Sequence, residues 1–124
     1  MPEYRLTRCE LEVMDVVWRK GHATVQDVVD ALERSLAYTT VMTTLKILEE
    51  KRRVVKRVKH GRAYVYEPIA SREEVGQSMA GELTRRLFRG SAKSLVLNLL
   101  DRESLSRSDI EELKQAIASL GADP

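Results

Sequence analysis

This chain has few of the residues that build disulfide frameworks, metal centres and membrane spans. It has one cysteine, Cys9, among 124 residues, which excludes an internal disulfide framework and a cysteine-rich zinc site. Its longest uninterrupted apolar run is four residues, 63–66, whereas a membrane-spanning helix needs roughly 20. No apolar stretch follows Met1, which argues against a secretory signal. We therefore expect a small, soluble, cytoplasmic protein.

Residues typical of catalytic sites are equally scarce. The two histidines, His22 and His60, belong to no Ser-His-Asp order, and the chain has no glycine-rich phosphate loop. Too few ligands are present for a metal site. We interpret Cys9 as a small structural side chain rather than a redox sensor. These absences predict a protein that is not an enzyme and that uses no cofactor.

The net charge is small but unevenly distributed. A formal charge of +2 does not by itself indicate a nucleic-acid partner. Residues 51–62, however, contain no acidic residue, and their basic residues are Lys51, Arg52, Arg53, Lys56, Arg57, Lys59 and Arg62, with His60 in addition. Like charges at this density repel one another. The segment is therefore either a solvated basic hairpin or a surface that an anionic partner neutralises.

Apolar spacing and capping residues predict three helices before this basic segment. The predicted helices run from Thr7 to about Gly21, from Thr24 to about Arg34, and from Thr39 to Lys51. Thr7 and Glu10 form a capping box at the start of the first helix. Trp18 lies on the apolar stripe of that helix, so we interpret it as a core anchor rather than a binding platform. Val41, Leu45 and Leu48 are the inward residues of the third helix.

Two short strands follow the third helix. We predict them at Val54–Lys59 and Ala63–Glu67, joined by a turn at His60-Gly61, with Tyr64 and Tyr66 on one face. Three helices and a hairpin within about 70 residues is the order of a winged helix-turn-helix. In that arrangement the third helix enters the major groove of DNA and the hairpin lies against phosphates. The predicted fold class is mostly α with a small β-hairpin.

The outward face of the third helix is rich in threonine. We expect Thr39, Thr40, Thr43, Thr44 and Lys46 to lie there. Threonine is a mediocre helix former, so four of them in six residues need a reason. Their hydroxyl groups can bind phosphates or bases, and their methyl groups can pack on thymine. Helix capping is the alternative explanation for one or two of them.

Residues 71–124 are predicted to be a helical dimerisation domain, whereas residues 1–70 form the winged-helix DNA-binding domain. Ser71 opens a fourth helix, a leucine-dense segment spans 92–100, and Ser106 opens a last helix. Three short helices bury little surface alone, so we expect their apolar faces to meet a partner. A second copy would present two reading helices to a palindromic site. The candidate interface residues are Leu83, Leu87, Leu95, Leu99, Ile110, Leu113 and Ile117.

Combinations of residues along the whole chain match one known family. They are Leu6-Thr7 with Glu10, Val13-Met14, Trp18, Ala37–Thr43, Leu45, Leu48, Lys51, Gly61–Tyr66, Ser94–Asn98 and the segment from Leu105 to Leu113. Together these motifs, spread over about residues 5–120, resemble the penicillinase repressor family of BlaI, MecI and CopY-type transcriptional regulators. The resemblance implies a winged helix-turn-helix, a C-terminal helical dimerisation domain, and repression by occupying a palindromic operator in double-stranded DNA.

The resemblance also implies which residues contact DNA. The recognition-helix contacts fall on Thr39, Thr40 and Thr43, with Lys46 a weaker match, and the wing contacts fall on Lys59, His60 and Arg62 beside Gly61. Tyr38, which directly precedes these threonines, is a further candidate DNA-binding residue. Arg52 is a departure, since family members often have a glycine at that position. The chain also lacks the C-terminal Cys-x-Cys motif of the copper-responsive branch, which argues against copper sensing.

For β-lactam-responsive members, the resemblance implies that induction occurs by proteolysis within the dimerisation domain. A membrane sensor protease, or a step downstream of it, makes the cut. The matching bond here is Asn98–Leu99. The alternative function is a winged-helix protein-interaction module with no sequence-specific DNA binding, because a fold does not determine a function. Such a module is expected to expose aromatic residues or leucines on the third helix rather than threonines and a lysine.

Overall fold

The computed structural model describes residues 3–102 and 104–121. Its chain divides into two compact units, Met1–Glu82 and Leu83–Pro124. The predicted boundary after residue 70 separates a DNA-binding part from a dimerising part, and it stays a prediction. No helix in the described part of the chain is both long and apolar enough to cross a membrane.

The first unit begins with three helices, α1 (Arg8–Lys20), α2 (Val25–Ala31) and α3 (Tyr38–Ile47). The capping box predicted for α1 is confirmed, because the backbone N–H of Glu10 donates to Thr7 Oγ1 at 3.2 Å and that of Thr7 donates to Glu10 Oε1 at 3.1 Å. Thr24 and Asp27 form the same reciprocal pair at α2. Helix α2 is shorter than predicted because Leu32 adopts an extended backbone, with φ −67° and ψ 137°.

Helix α3 ends in a π-helical turn, Leu48–Arg52, rather than continuing as a regular helix to Lys51. The backbone N–H of Arg53 donates to the Leu48 carbonyl and closes the wider turn. Arg53 itself has a left-handed backbone, with φ 57°. This residue redirects the chain from the helix into the hairpin.

The hairpin consists of β1 (Val55–His60) and β2 (Ala63–Pro68), paired antiparallel. The turn lies one residue later than predicted, at Gly61-Arg62, because His60 still pairs with Ala63. Gly61 has φ +63° and occupies the first turn position, where a type II′ hairpin turn needs a positive φ. Ala23 adds a single antiparallel bridge to Tyr66 on the other side of β2.

The core of the first unit lies between α1, α3 and the hairpin. Val41, Leu45 and Leu48 are fully buried in it, as predicted. Trp18 packs against this core, and its Nε1–H donates to the Ala70 carbonyl at 2.9 Å, which confirms its role as an anchor.

Helix α4 (Arg72–Leu87) begins at the predicted cap, where the backbone N–H of Ser71 donates to Glu74 Oε1 and that of Glu74 donates to Ser71 Oγ, each at 3.0 Å. Its first turns pack on the first unit. Val75 is buried there, and Ser78 Oγ accepts a hydrogen bond from the backbone N–H of Tyr4 at 2.7 Å.

The second unit contains α5 (Ala92–Arg102) and α6 (Arg107–Gly121). Ser106 and Asp109 cap α6 reciprocally, at 3.1 and 3.0 Å. Among the side chains of these two helices that the structure describes, none is buried. The described side chains of α5 and α6 therefore form no buried core between themselves.

Candidate nucleic-acid interface

Helix α3 exposes all five of its predicted contact residues to solvent: Tyr38, Thr39, Thr40, Thr43 and Lys46. Thr44 is different, and its predicted place on the outward face was wrong. Its side chain is buried, and its Oγ1 donates to the Thr40 carbonyl at 2.8 Å and lies 3.7 Å from Cys9 Sγ. One of the four threonines therefore serves packing rather than recognition.

The outward face of α3 and the hairpin enclose one open groove with a volume of about 620 Å³. From α3 it is lined by Tyr38, Met42, Thr43 and Lys46, and from the hairpin by Arg57, Arg62, Tyr64 and Tyr66. The start of α2 contributes Thr24, Val25 and Gln26. Predicted helix residues and the predicted wing residue Arg62 thus share one surface. Thr39, Thr40, Lys59 and His60 do not line it.

The two faces of the hairpin carry different residues. Arg57 is directly opposite Tyr66 in the ladder and Lys59 is opposite Tyr64, so these four side chains share one face of the hairpin, and all of them except Lys59 line the groove. Lys56 is opposite Glu67 and His60 is opposite Ala63, and these belong to the other face. Lys59 and His60, predicted together as wing contacts, therefore lie on opposite faces of β1.

The basic segment is not one continuous patch of available charge. Arg52 does not line the groove and forms a two-point ion pair with Glu10, at 2.8 and 3.2 Å. Burial of the Glu10 carboxyl raises its pKa, but hydrogen bonds from Arg52 and from the Thr7 backbone outweigh this effect and lower the pKa below its ordinary value of 4.5. This carboxylate is therefore charged at neutral pH and holds Arg52.

Arg57 is also engaged, although more loosely. Its guanidinium carbon lies 4.4 Å from the centre of the Tyr64 ring, and its Nε lies 4.0 Å from Glu49 Oε2. Glu49 and Glu50 both line the groove, and neither they nor Arg57 are predicted as site residues from the sequence. A signal for them exists in the charge pattern, because the two glutamates directly precede the basic run.

The described residues, 3–102 and 104–121, contain no cluster of three or more histidine, cysteine, aspartate or glutamate side chains that could hold a metal ion. Beside the carboxylates of Glu49 and Glu50, the groove presents hydroxyl groups, phenol rings and cations. These groups suit an anionic partner with hydrogen-bonding edges.

This chain is similar to several known proteins. The family model described as "Penicillinase repressor" matches residues 6–119 of this chain. The transcriptional regulator BlaI of Mycobacterium tuberculosis (strain CDC 1551 / Oshkosh) is 36% identical over 122 residues, which cover 95% of this chain and 86% of that protein. A penicillinase repressor of Bacillus licheniformis is 29% identical over 91% of this chain and 89% of its own length. The methicillin resistance regulatory protein MecI of Staphylococcus aureus (strain N315) is 24% identical over 92% and 94%, respectively.

Solved structures are similar as well. The solution structure of the DNA binding domain of the repressor BlaI has a TM-score of 0.51 and 27% sequence identity, and the match covers 60% of this chain and 93% of that domain. The predicted fold class, mostly helical with a winged-helix hairpin, is therefore confirmed. The three relatives from M. tuberculosis, B. licheniformis and S. aureus are named as repressors or regulators rather than as enzymes.

Proposed function

Because this chain belongs to the penicillinase repressor family, we propose that it is a transcriptional repressor, not an enzyme, and that it binds operator DNA through α3 and the hairpin. The shared groove is the observation that carries this proposal. Thr43 and Lys46 of α3 line it together with Arg62 of the hairpin turn. Base-reading hydroxyl groups and a phosphate-binding cation then face one duplex from two elements.

The proposed contacts divide by chemistry. The exposed threonines Thr39, Thr40 and Thr43 are short enough to approach base edges in the major groove. The exposed donors suited to phosphates are Lys46, Lys59, His60 and Arg62. The hydroxyl group of Tyr38, at the start of α3, is a further exposed donor. Phosphate contacts position the protein on any duplex, whereas the threonines supply sequence preference.

A second copy of the chain is the proposed partner of the C-terminal unit. Six of the seven candidate interface residues are at least two-fifths exposed: Leu83, Leu87, Leu99, Ile110, Leu113 and Ile117. Leu95 is half-buried. Isolated short helices are marginal in water, so helices whose described side chains are all exposed or half-buried are expected to gain their stability from association. A twofold dimer would present two α3 helices and would match a palindromic operator.

Release by proteolysis is the proposed regulation. The candidate bond, Asn98–Leu99, lies inside α5, and both residues are exposed. A cut there would divide α5 and separate its apolar residues into two short pieces. We propose that a membrane sensor protease responding to β-lactams makes this cut directly or initiates it.

Footprinting and gel-shift assays of the full chain on the promoter region of its own gene test the DNA-binding proposal. We expect protection of a sequence with dyad symmetry, at a protein concentration that leaves random duplexes unshifted. Absence of protection on any dyad at low salt would overturn it.

A specific observation favours a second candidate, the protein-interaction module. Tyr38, Met42 and Tyr64 are 48%, 45% and 46% exposed, and all three line the groove. Exposed aromatic and methionine side chains are typical of protein interfaces. If the chain is such a module, we expect no duplex to be shifted in a gel at low salt. A protein partner should then bind the wild-type chain but not a Met42→Glu variant.

A further inference from the structure

Arg57 occupies a special position among the cations of the hairpin. Only Arg57 and Arg62 of the basic residues in the described segment 51–62 line the groove that faces α3. Arg57 also has two specific neighbours, the Tyr64 ring at 4.4 Å and Glu49 Oε2 at 4.0 Å. Its guanidinium is therefore held within the groove before any ligand is present.

The two neighbours act on Arg57 in different ways. The ring of Tyr64 offers its electron-rich face, which orients the guanidinium without neutralising it. The carboxylate of Glu49 neutralises it, but the separation of 4.0 Å is at the outer limit of an ion pair. The Arg57 side chain is 47% exposed, so solvent weakens this pair further. A phosphate oxygen can replace such a partner at small cost.

We propose that Arg57 is an additional phosphate-contacting residue of the groove, and that Glu49 is its internal competitor, which duplex DNA must displace. Tyr64 is a positioning residue that keeps the guanidinium in the groove during this exchange. The inference rests on the proposed DNA-binding function. In this proposal, the competition of Glu49 for Arg57 limits the affinity for duplex DNA of any sequence.

The limit on affinity follows from the chemistry of the exchange. A phosphate contact of Arg57 replaces the Glu49–Arg57 ion pair. Part of the attraction between Arg57 and the phosphate therefore only compensates for the lost attraction between Arg57 and Glu49. Phosphates carry no sequence information directly, so removing the competitor is expected to raise the affinity for operator and for random duplexes by similar factors. Sequence preference stays with the threonines of α3.

The experiment measures binding of the full chain to a fluorescent random-sequence duplex by anisotropy, over a series of salt concentrations. Arg57→Ala is expected to weaken binding about five- to tenfold at low salt and to reduce the salt slope by about one. Lys56→Ala is the matched control, because Lys56 is the neighbouring cation on the opposite hairpin face. Equal slopes for Arg57→Ala and the wild type would overturn the proposed contact.

Glu49→Gln tests the competitor. It is expected to tighten binding about two- to fivefold, the range of an exposed ion pair. Glu50→Gln is its control, since it removes the same charge from the same groove while the Glu49–Arg57 pair remains. The excess of the Glu49→Gln effect over the Glu50→Gln effect should vanish in an Arg57→Ala background. Equal effects of the two glutamine variants, or an excess that survives without Arg57, would overturn the competitor.

Tyr64 is tested by two substitutions. Tyr64→Phe keeps an aromatic face and should bind DNA as the wild type does, whereas Tyr64→Leu should lose about two- to fivefold. A loss of the same size in both variants would overturn the positioning role. Circular dichroism and thermal unfolding confirm that each variant is folded. A wild-type chain that binds no duplex at all would overturn the DNA-binding function itself, whereas binding without any effect of Arg57 or Glu49 overturns only this inference.

Discussion

Arg52 and Glu10, 42 positions apart in the chain, form a two-point ion pair between the turn after α3 and the first turn of α1. The same Glu10 carboxylate accepts the Thr7 backbone N–H of the capping box. The side chain of Glu10 is 6% exposed and that of Arg52 is 34% exposed. The start of α1 is thereby joined to the end of the proposed recognition helix.

Loss of Arg52 should therefore destabilise the first unit. Arg52→Met leaves a buried carboxylate without its main partner, and we expect a cost of about 1–3 kcal/mol because the pair is partly exposed to solvent. Urea unfolding of the full chain measures this cost. Lys51→Ala, at the exposed neighbouring position, is the control. Equal stability of the two variants would show that the ion pair contributes nothing.

Acid should weaken the same contact. The pKa of Glu10 is lowered in the folded chain, so the carboxylate stabilises the fold at any pH above its ordinary pKa of 4.5. This contribution is lost as the pH falls below 4.5 through the lower pKa of the folded state. Glu10→Gln should flatten that part of the curve of unfolding free energy against pH. An unchanged curve below pH 4.5 would contradict the assignment.

The left-handed residue Arg53 offers a stabilising substitution. An L-residue at φ 57° is strained by about 1–2 kcal/mol, whereas glycine adopts this backbone freely. The greater entropy of glycine in the unfolded chain offsets part of this relief of strain, so we expect Arg53→Gly to stabilise the fold by a net amount of about 0.5–1 kcal/mol. Thermal unfolding measures the change, with Arg53→Ala as a control that removes the charge but keeps the strain. A glycine variant no more stable than the alanine variant would contradict the prediction.

Two substitutions in the groove should separate positioning from sequence reading. Arg62→Ala is expected to weaken binding to all duplexes and to reduce the salt slope by about one, as expected for a lost phosphate contact. Thr43→Val should instead reduce the preference for particular bases in the operator. Titrations of operator and point-mutated operators measure both effects. An equal loss for Thr43→Val on every duplex would contradict its reading role.

Association through α6 should depend on its apolar stripe. Ile117 is 61% exposed and shares a helix face with Leu113, four residues earlier. Ile117→Glu is expected to convert dimers to monomers in sedimentation experiments. Gln115→Glu adds the same charge to the same helix away from that stripe and should leave the dimer intact. A wild-type chain that is monomeric at all concentrations tested would refute the dimer.

Local signals predicted much of the fold. The capping box at Thr7, the helix start at Thr24 and the inward residues of α3 are predicted correctly, because capping and helical periodicity involve residues a few positions apart. The errors also have local causes. The hairpin turn was displaced by one residue, since the strand pairing of His60 with Ala63 is not visible in composition. The π-helical turn after Ile47 has no periodic signature of its own.

The candidate site was only partly predictable. The sequence located the threonine-rich helix and the basic segment, and the family resemblance pointed to Lys59, His60 and Arg62 within that segment, but nothing in it distinguished Arg57 from the remaining cations. It could not show that Thr44 packs against Cys9 or that Glu49 lies beside Arg57. Such relationships depend on how α1, α3 and the hairpin pack together.

Local patterns and motifs along the chain specify the order of the elements, the cation-rich wing and the resemblance to a repressor family. Which charges remain available to a partner depends on how the chain folds. Packing draws Arg52 to Glu10 and leaves Arg57 in the groove with Tyr64 and Glu49. An ion pair forms only where folding brings two charges within a few ångströms of each other. For residues distant in the chain, the packing of the core decides whether this happens.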